Sequence, residues 1–489
     1  MNTKQLRQKI LDLAIRGKLV PQDPNDEPAS VLLERVRAEK EALIKARKTK
    51  NEQPLLPITE KEIPFSVPAG WMWCRLNEVC LDFQYGTSQK SDKQGKIAVL
   101  RMGNLQNGEV DYSDLAFTSD EADIGKYLLK PNELLFNRTN SPEWVGKTAI
   151  YRGEMPAIFA GYIIRIAPVL INPLYLNYLM NSEYHRSICL QAKTDGVNQS
   201  NINAQKLSKF IYPLPPLAEQ QRIVASIESA FTLIDEIERN KNDLQTAVTA
   251  AKKKILSLAI CGKLVPQDPN DEPASVLLER IRAERERLIK EGKVKRDKKD
   301  STKLHSDIIL HNRNVPFDVP KSWVWARIID IAILKSGGQY EISNDENSYL
   351  YVKVADMNAN ANLKEINISS LRCICKENEL IPPNSIIFPK RGGAILTNKK
   401  RLNINSHIAI DSNTMALIPF SSVELCYIKI WLDSFDLSSL WSGNVVPQIN
   451  NQDIYPLFIP LPPIAEQQRI VTAVEAVFEQ LDRIIEMCK

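Results

Sequence analysis

The chain of 489 residues is 44% hydrophobic and 25% charged, with eight cysteines and, from 63 basic against 59 acidic residues, a net charge of +4. This excludes a disordered chain and a disulfide scaffold; no apolar run reaches the ~18 residues of a membrane span, and the opening MNTKQLRQKILD is too polar for a signal peptide. Cysteines without paired C-x-x-C spacing read as reduced thiols in a cytoplasm, and the near-neutral total leaves nucleic-acid binding open, because a local basic face matters more than the sum.

In chain order, a helix over 3–16 runs into a segment, 10–45, that recurs at 255–290 with an offset of 245 and 31 of 36 positions identical. VPAGWMWCRL from Val67 returns as VPKSWVWARI from Val319, and LPPLAEQQRIV from Leu214 returns as LPPIAEQQRIV from Leu461. The chain is therefore two copies of one unit, about 1–244 and 245–489. Each copy has a mixed middle with short β-type runs such as KIAVLRM, AIFAGYIIRIAP, YLYVKVADM and SIIFPK. From Leu217 to Cys261 there is no Gly or Pro, which predicts one long helix. Val471, Val474, Phe478, Leu481, Ile485 and Cys488 form a heptad seam, echoed by Val224, Ile227, Phe231 and Ile234.

The fold class expected is α+β, with two globular domains separated by a long antiparallel two-helix coiled coil and related by a pseudo-two-fold internal duplication. The domains are 1–62 (helical segment and linker), 63–213 (first globular domain), 214–314 (central helix, repeat segment and linker), 315–460 (second globular domain) and 461–489 (terminal helix). The terminal pieces, laid end to end, reproduce the central helix and should pair antiparallel with it. The charge run GKVKRDKKDSTK within 291–314 reads as a solvated linker.

The middles diverge. At offset 252, positions 91–166 match 343–418 at 9 of 76 places, yet Arg101 meets Lys353, Phe136 meets Phe388 and Arg138 meets Lys390. One scaffold is kept while its surface is replaced, so near-identical parts can bind one thing twice and diverged parts two different things.

Catalytic signatures are absent from the sequence. Gly146-Lys147-Thr148 ends like a phosphate-binding loop, but the required first glycine is Ser141. LPPL, IPPN and LPPI do not fit the amino-methyltransferase tetrad. His185, His305, His311 and His407 lack clustered ligand partners, and Cys373 and Cys375 read as strand packing, so no catalytic residue and no metal site are expected. Recognition remains. In the first middle the candidate DNA-binding side chains are Gln89, Lys90, Lys93, Lys96, Arg101, Asn104, Gln106, Asn107, Arg138, Asn140 and Lys147. In the second they are Lys335, Gln339, Tyr340, Lys353, Asn358, Lys390, Arg391, Lys399, Lys400 and Arg401. Arg and Lys read guanine and grip phosphate, while Asn and Gln read adenine.

The segments 17–35 and 262–280 are identical over their whole length, as a single partner docking twice would require. Val31, Leu32, Arg35 and Val36, with Val276, Leu277, Arg280 and Ile281, are the expected partner-binding residues. Recent gene duplication is the plainer explanation of the same identity. Two other readings of the whole chain are an enzyme with a fused recognition part and a coiled-coil protein–protein adaptor without DNA specificity.

The duplicated plan, the signature PLPPLAEQQRIV at Pro213 with PLPPIAEQQRIV at Pro460, LLFNRTNSPEWVGKTAIYRG from Leu134 and QSNINAQKL from Gln199 resemble the specificity (S) subunit of type I restriction–modification systems. The second domain departs, with IIFPKRGGAIL in place of the NRTNSPEWVGK stretch. The resemblance implies a non-catalytic subunit whose two target recognition domains each read one half of a split DNA sequence in double-stranded DNA, with the helices setting the spacer. It implies two methyltransferase subunits docked on the repeats, and restriction subunits beyond them. It implies no cofactor in this chain; S-adenosylmethionine, ATP and Mg would belong to the partners.

Overall fold

The computed structural model describes residues 2–47, 57–141, 144–196, 199–294, 315–343, 345, 348–441 and 446–488. The part of the linker charge run beyond Val294 lies outside them. The chain divides into two compact units, Met1–Asn240 and Lys241–Lys489, within four residues of the boundary read from the repeat.

The central helix covers Leu217–Ile260, 44 residues and ~66 Å at 1.5 Å per residue, so its first half belongs to unit one and its second half to unit two. In unit one the helix Thr3–Ile15 runs antiparallel to its half. Arg7 Nη2 lies 2.5 Å from Asp235 and its guanidinium 4.8 Å over the Phe231 ring, while Gln22, beyond the helix, reaches back to Glu219 at 2.7 Å. In unit two the helix Ile464–Met487 repeats this: Lys252 pairs with Asp482 at 2.6 Å over the Phe478 ring, and Gln267 reaches Glu466 at 2.6 Å. Largely exposed ion pairs contribute little, ~0–1 kcal/mol. The register rests instead on apolar burial: Ile223, Val224 and Ile227 share a core with Leu11, Ala14, Ile15 and Trp71, and Leu256 and Ala259 share one with Ile470, Val474 and Trp323. Ile237, three residues beyond the last seam residue Ile234, is exposed, and so is Cys488 at the end of the terminal seam.

Each middle is closed by a two-stranded ribbon joining its start to its end, Met72–Arg75 with Ile211–Leu214 and Val324–Arg327 with Phe458–Leu461, both antiparallel. Inside, the main sheet of unit one runs in the order Cys80–Tyr85, Ile163–Pro168, Glu133–Asn137, Thr148–Tyr151, extended by two short strands. Unit two has the order Ala332–Ser336, Thr414–Pro419, Ser385–Pro389, Arg401–Asn403. The runs LLF and IIF sit in the third strand of each. Alternation sends Leu134 and Phe136 into the large helix-facing core and Leu135 into a second core on the other face; Ile386 and Phe388 divide from Ile387 in the same way. A strand buried on both faces is a continuous apolar run, which is how both stand out in the sequence.

Candidate nucleic-acid interface

Antiparallel pairing brings four strand ends of each unit to one edge of its sheet. In unit one the pairs Ile164 with Tyr85, Ile164 with Phe136, and Phe136 with Thr148 align the end of the first strand, the start of the second, the end of the third and the start of the fourth. Tyr85, Tyr162, Arg138 and Lys147 sit there. In unit two Ser336 with Met415, Phe388 with Met415, and Ile387 with Arg401 do the same for Gln339, Asn413, Lys390 and Lys399. At the first strand's exit Gly86 and Gly337 pass so near the Phe159 and Asp411 carbonyls that an added Cβ would lie 2.1 Å from either oxygen, so only glycine fits.

Arg138 and Lys390 share one backbone frame. Their N–H groups donate to Tyr162 O at 3.0 Å and Asn413 O at 2.8 Å, and their carbonyls accept from Ile202 N at 2.9 Å and Ile449 N at 2.8 Å. The Arg138 guanidinium stacks 4.6 Å over Tyr85 and reaches Asn201 Oδ1 at 3.4 Å, while its Nε is buried with no partner among the described residues. Burial lowers the Lys390 pKa, with Arg391 beside it adding to the effect and Asp411 opposing it.

Lys147, its pKa lowered by burial, lies 4.2 Å from the Trp144 ring and donates to Gln106 Oε1 at 3.1 Å, so these two predicted residues meet. Gln89, Lys90 and Lys93 are exposed on the loop after Tyr85, and Asn107 is exposed in a turn at φ +53°. Asn140 Oδ1 accepts from Ser141 N at 2.8 Å, Arg101 pairs with Asp114 at 2.9 Å, and Lys96 pairs with Glu121. Asn104 corrects the sequence reading. It is 3% exposed, its Oδ1 accepts from Arg101 N and its Nδ2 donates to Asp111 O and Asp114 O, so it ties a turn and cannot face a base.

In unit two Gln339, Tyr340 and Lys353 line one open cleft of about 470 Å³ together with Tyr351 and Asp411. Arg391 is exposed beside Lys390, and Lys399 bonds Asn358. Lys400 is the second correction: 2% exposed, it donates to Asn398 Oδ1 at 2.8 Å and Phe435 O at 3.0 Å, and burial pushes its ammonium down to about 8. Lys335 is spent on Asn378 O and Leu380 O, and Arg401 on Lys400 O and Met357 O, all within their own domain.

Sequence reasoning missed the exposed aromatics Tyr85, Tyr162 and Trp144 and the carboxylate Asp411, since nothing local marks a tyrosine as exposed. It also missed His185, buried beneath the loop that carries Arg138 and Lys147. Its Nε2 lies 3.0 Å from Gly146 O and its Nδ1 2.6 Å from Tyr212 Oη. A carbonyl only accepts, so Nε2 carries the hydrogen and Nδ1 accepts from the tyrosine. Burial lowers its pKa to about 4, which keeps the ring neutral.

The identical segments are clamped to their units by matching polar bonds. Trp71 Nε1 donates to Glu219 at 2.9 Å, Arg222 holds Asp26 at 2.6 Å and Ala29 N bonds Gly70 O at 3.0 Å. Trp323 with Glu466 at 2.9 Å, Arg469 with Asp271 at 2.6 Å and Ala274 N with Ser322 O at 3.0 Å repeat them. Burial raises the pKa of Glu219 and Glu466, against the indole and glutamine hydrogen bonds that lower it. Leu32, Val36, Leu277 and Ile281 are fully buried in these cores, so four of the expected partner-binding residues are corrected: their spacing turns them inward against the globular domain. Val31 and Val276 stay exposed, at 40% and 39%, and Arg35 and Arg280 are half-exposed in ion pairs with Glu27 and Glu272.

Among the described residues no helix is long and apolar enough to cross a membrane and no group of His, Cys, Asp or Glu is placed to hold a metal. The family model for the type I restriction modification DNA specificity domain matches residues 68–245. The EcoAI specificity subunit of Escherichia coli is 30% identical, covering 99% of this chain and 89% of its own length, and the EcoEI specificity subunit of Escherichia coli is 27% identical, covering 98% and 90%. A solved chain reported under "Structural basis underlying complex assembly and conformational transition of the type I R-M system" shares the fold, with TM-score 0.58 and 17% identity over 87% of this chain and 94% of that one. With a relative this similar over nearly its whole length, and with a sheet edge in each unit that offers the same frame with different side chains, the chain belongs to the family of type I restriction enzyme specificity subunits.

Proposed function

We propose that this chain gives a type I restriction–modification complex its DNA sequence, each unit reading one half of a bipartite target in double-stranded DNA through the sheet edge that carries Arg138 or Lys390. One observation carries the reading: the two residues share a backbone frame, yet the first stands beside Tyr85 and Asn201 and the second beside Arg391 and Asp411. A shared frame fixes how each domain meets a duplex, and different side chains on it select different bases. The antiparallel helices set the unspecified spacer.

Two methyltransferase subunits dock on the repeat segments. The intramolecular clamp accounts for identity at Gln22, Asp26 and Ala29 but not at the exposed Ser30, Val31 and Glu34, which with Ser275, Val276 and Glu279 offer one surface twice. The chemistry then lies in the partners: S-adenosylmethionine with the methyltransferases, ATP and Mg with restriction subunits, all in the cytoplasm. The test is a map of methylated adenines in DNA from cells carrying this chain and its methyltransferase subunit. Two conserved half-sites at a fixed separation are expected; a single contiguous site, or no sequence preference, overturns the reading.

A further inference from the structure

The cleft of unit two holds a negative charge where a DNA-facing surface ordinarily has none. Asp411 is 8% exposed and lines the cleft with Gln339, Tyr340, Tyr351 and Lys353. Its backbone is pinned on both sides, with its N–H donating to Val352 O at 3.0 Å and its carbonyl accepting from Thr414 N at 3.0 Å. One carboxylate oxygen accepts from Asn413 N at 3.2 Å and the other from Asn413 Nδ2 at 3.1 Å. A carboxylate has about four acceptor sites, so each oxygen keeps one for a donor entering the cleft. At the corresponding position unit one carries an alanine: the bridge between Gly338 and Asp411 matches that between Thr87 and Ala160, and the nearby Asp123 carboxylate is engaged by Thr87 Oγ1.

We infer that Asp411 is a specificity-determining residue of the second unit and accepts the exocyclic amine of a cytosine in the major groove. The inference rests on the function proposed above. Phosphates repel a carboxylate, so one held at a DNA surface selects for a donor on a base edge. Guanine and thymine present acceptors there, and adenine sets its N7 acceptor beside its amine, which a carboxylate without a hydrogen cannot satisfy. Cytosine alone presents an amine without a neighbouring acceptor. Tyr340 and Tyr351, edge to face at 5.5 Å, wall the cleft, and Lys353, also lining it, lies 5.4 Å from the Tyr351 ring.

The test compares adenine-methylation maps made by the full complex with wild-type chain and with Asp411→Asn. Asparagine keeps an acceptor for Asn413 N and gives up the Asn413 Nδ2 contact, so a purely turn-forming role predicts at most a uniform loss with the base pattern unchanged. The inference predicts that one C·G pair in one half-site loses its preference by roughly tenfold in favour of A·T, with the other half-site unchanged. An unchanged pattern overturns the inference, as does uniformly stronger binding with the same pattern, which would make Asp411 only a counter-charge to Lys390. If the variant abolishes methylation, binding of the purified complex to duplexes carrying each of the four bases at every half-site position decides it: loss of one cytosine preference supports the inference, and equal weakening for all four overturns it. A wild-type map without two half-sites would instead refute the proposed function itself.

Discussion

The indole N–H of Trp71 donates to the carboxylate of Glu219 at 2.9 Å, and Trp323 and Glu466 repeat the bond at the same distance in the second unit. Each carboxylate uses its other oxygen for a glutamine of the repeat segment, Gln22 or Gln267. Two donors therefore meet two acceptor oxygens, and a side-chain amide can serve only one of them. Glu219→Gln should set one N–H against another at this half-buried site and lower the stability of unit one by about 1 kcal/mol, with Glu466→Gln doing the same in unit two. Thermal unfolding of the full chain checks this; variants as stable as the wild type would remove the clamp from the account of these segments.

Arg138→Ala should weaken DNA binding by about 1–3 kcal/mol and relax one base pair of one half-site, as expected for loss of a base contact. Lys390→Ala should act on the other half-site alone. Binding measured against duplexes varied one position at a time separates this from loss of a phosphate contact, which would weaken all sequences alike.

Unit one should lose stability on mild acidification through His185. Its folded pKa, about 4, lies below the ordinary 6.5, so the unfolded chain binds the extra proton first. Its contribution is whole above pH 6.5 and is lost as pH falls towards 4, about 3 kcal/mol over that window. His185→Gln keeps a donor for Gly146 and does not titrate, so its unfolding should be flatter between those pH values. Parallel pH profiles for the two proteins would contradict the assignment.

Val31→Asp together with Val276→Asp should strip both methyltransferase subunits from the complex, and either change alone should leave one. A charge on an exposed valine leaves the core beneath it intact, so the altered chain should still fold and bind DNA. Native mass spectrometry of the complex reads the stoichiometry directly; two subunits retained in the double variant would move the docking surface elsewhere.

The duplication, the central helix to within a residue, and the antiparallel pairing in each unit were all legible in the sequence. They rest on local signals, an uninterrupted stretch without Gly or Pro and an apolar stripe, multiplied by the repeat. The strand IIF was legible too, within the run SIIFPK, since burial on both faces leaves a contiguous apolar run. Which basic and amide side chains reach solvent was not. Lys400 is removed from the surface by Phe435, 35 positions away, and Arg138 is set in place by Tyr162 and Ile202, so only strand pairing from distant parts of the chain decides their roles. Leu32 and Val36 show the same limit: their spacing marks an apolar helix face, but tertiary packing decided that this face meets the helix's own globular domain and leaves Val31 outside.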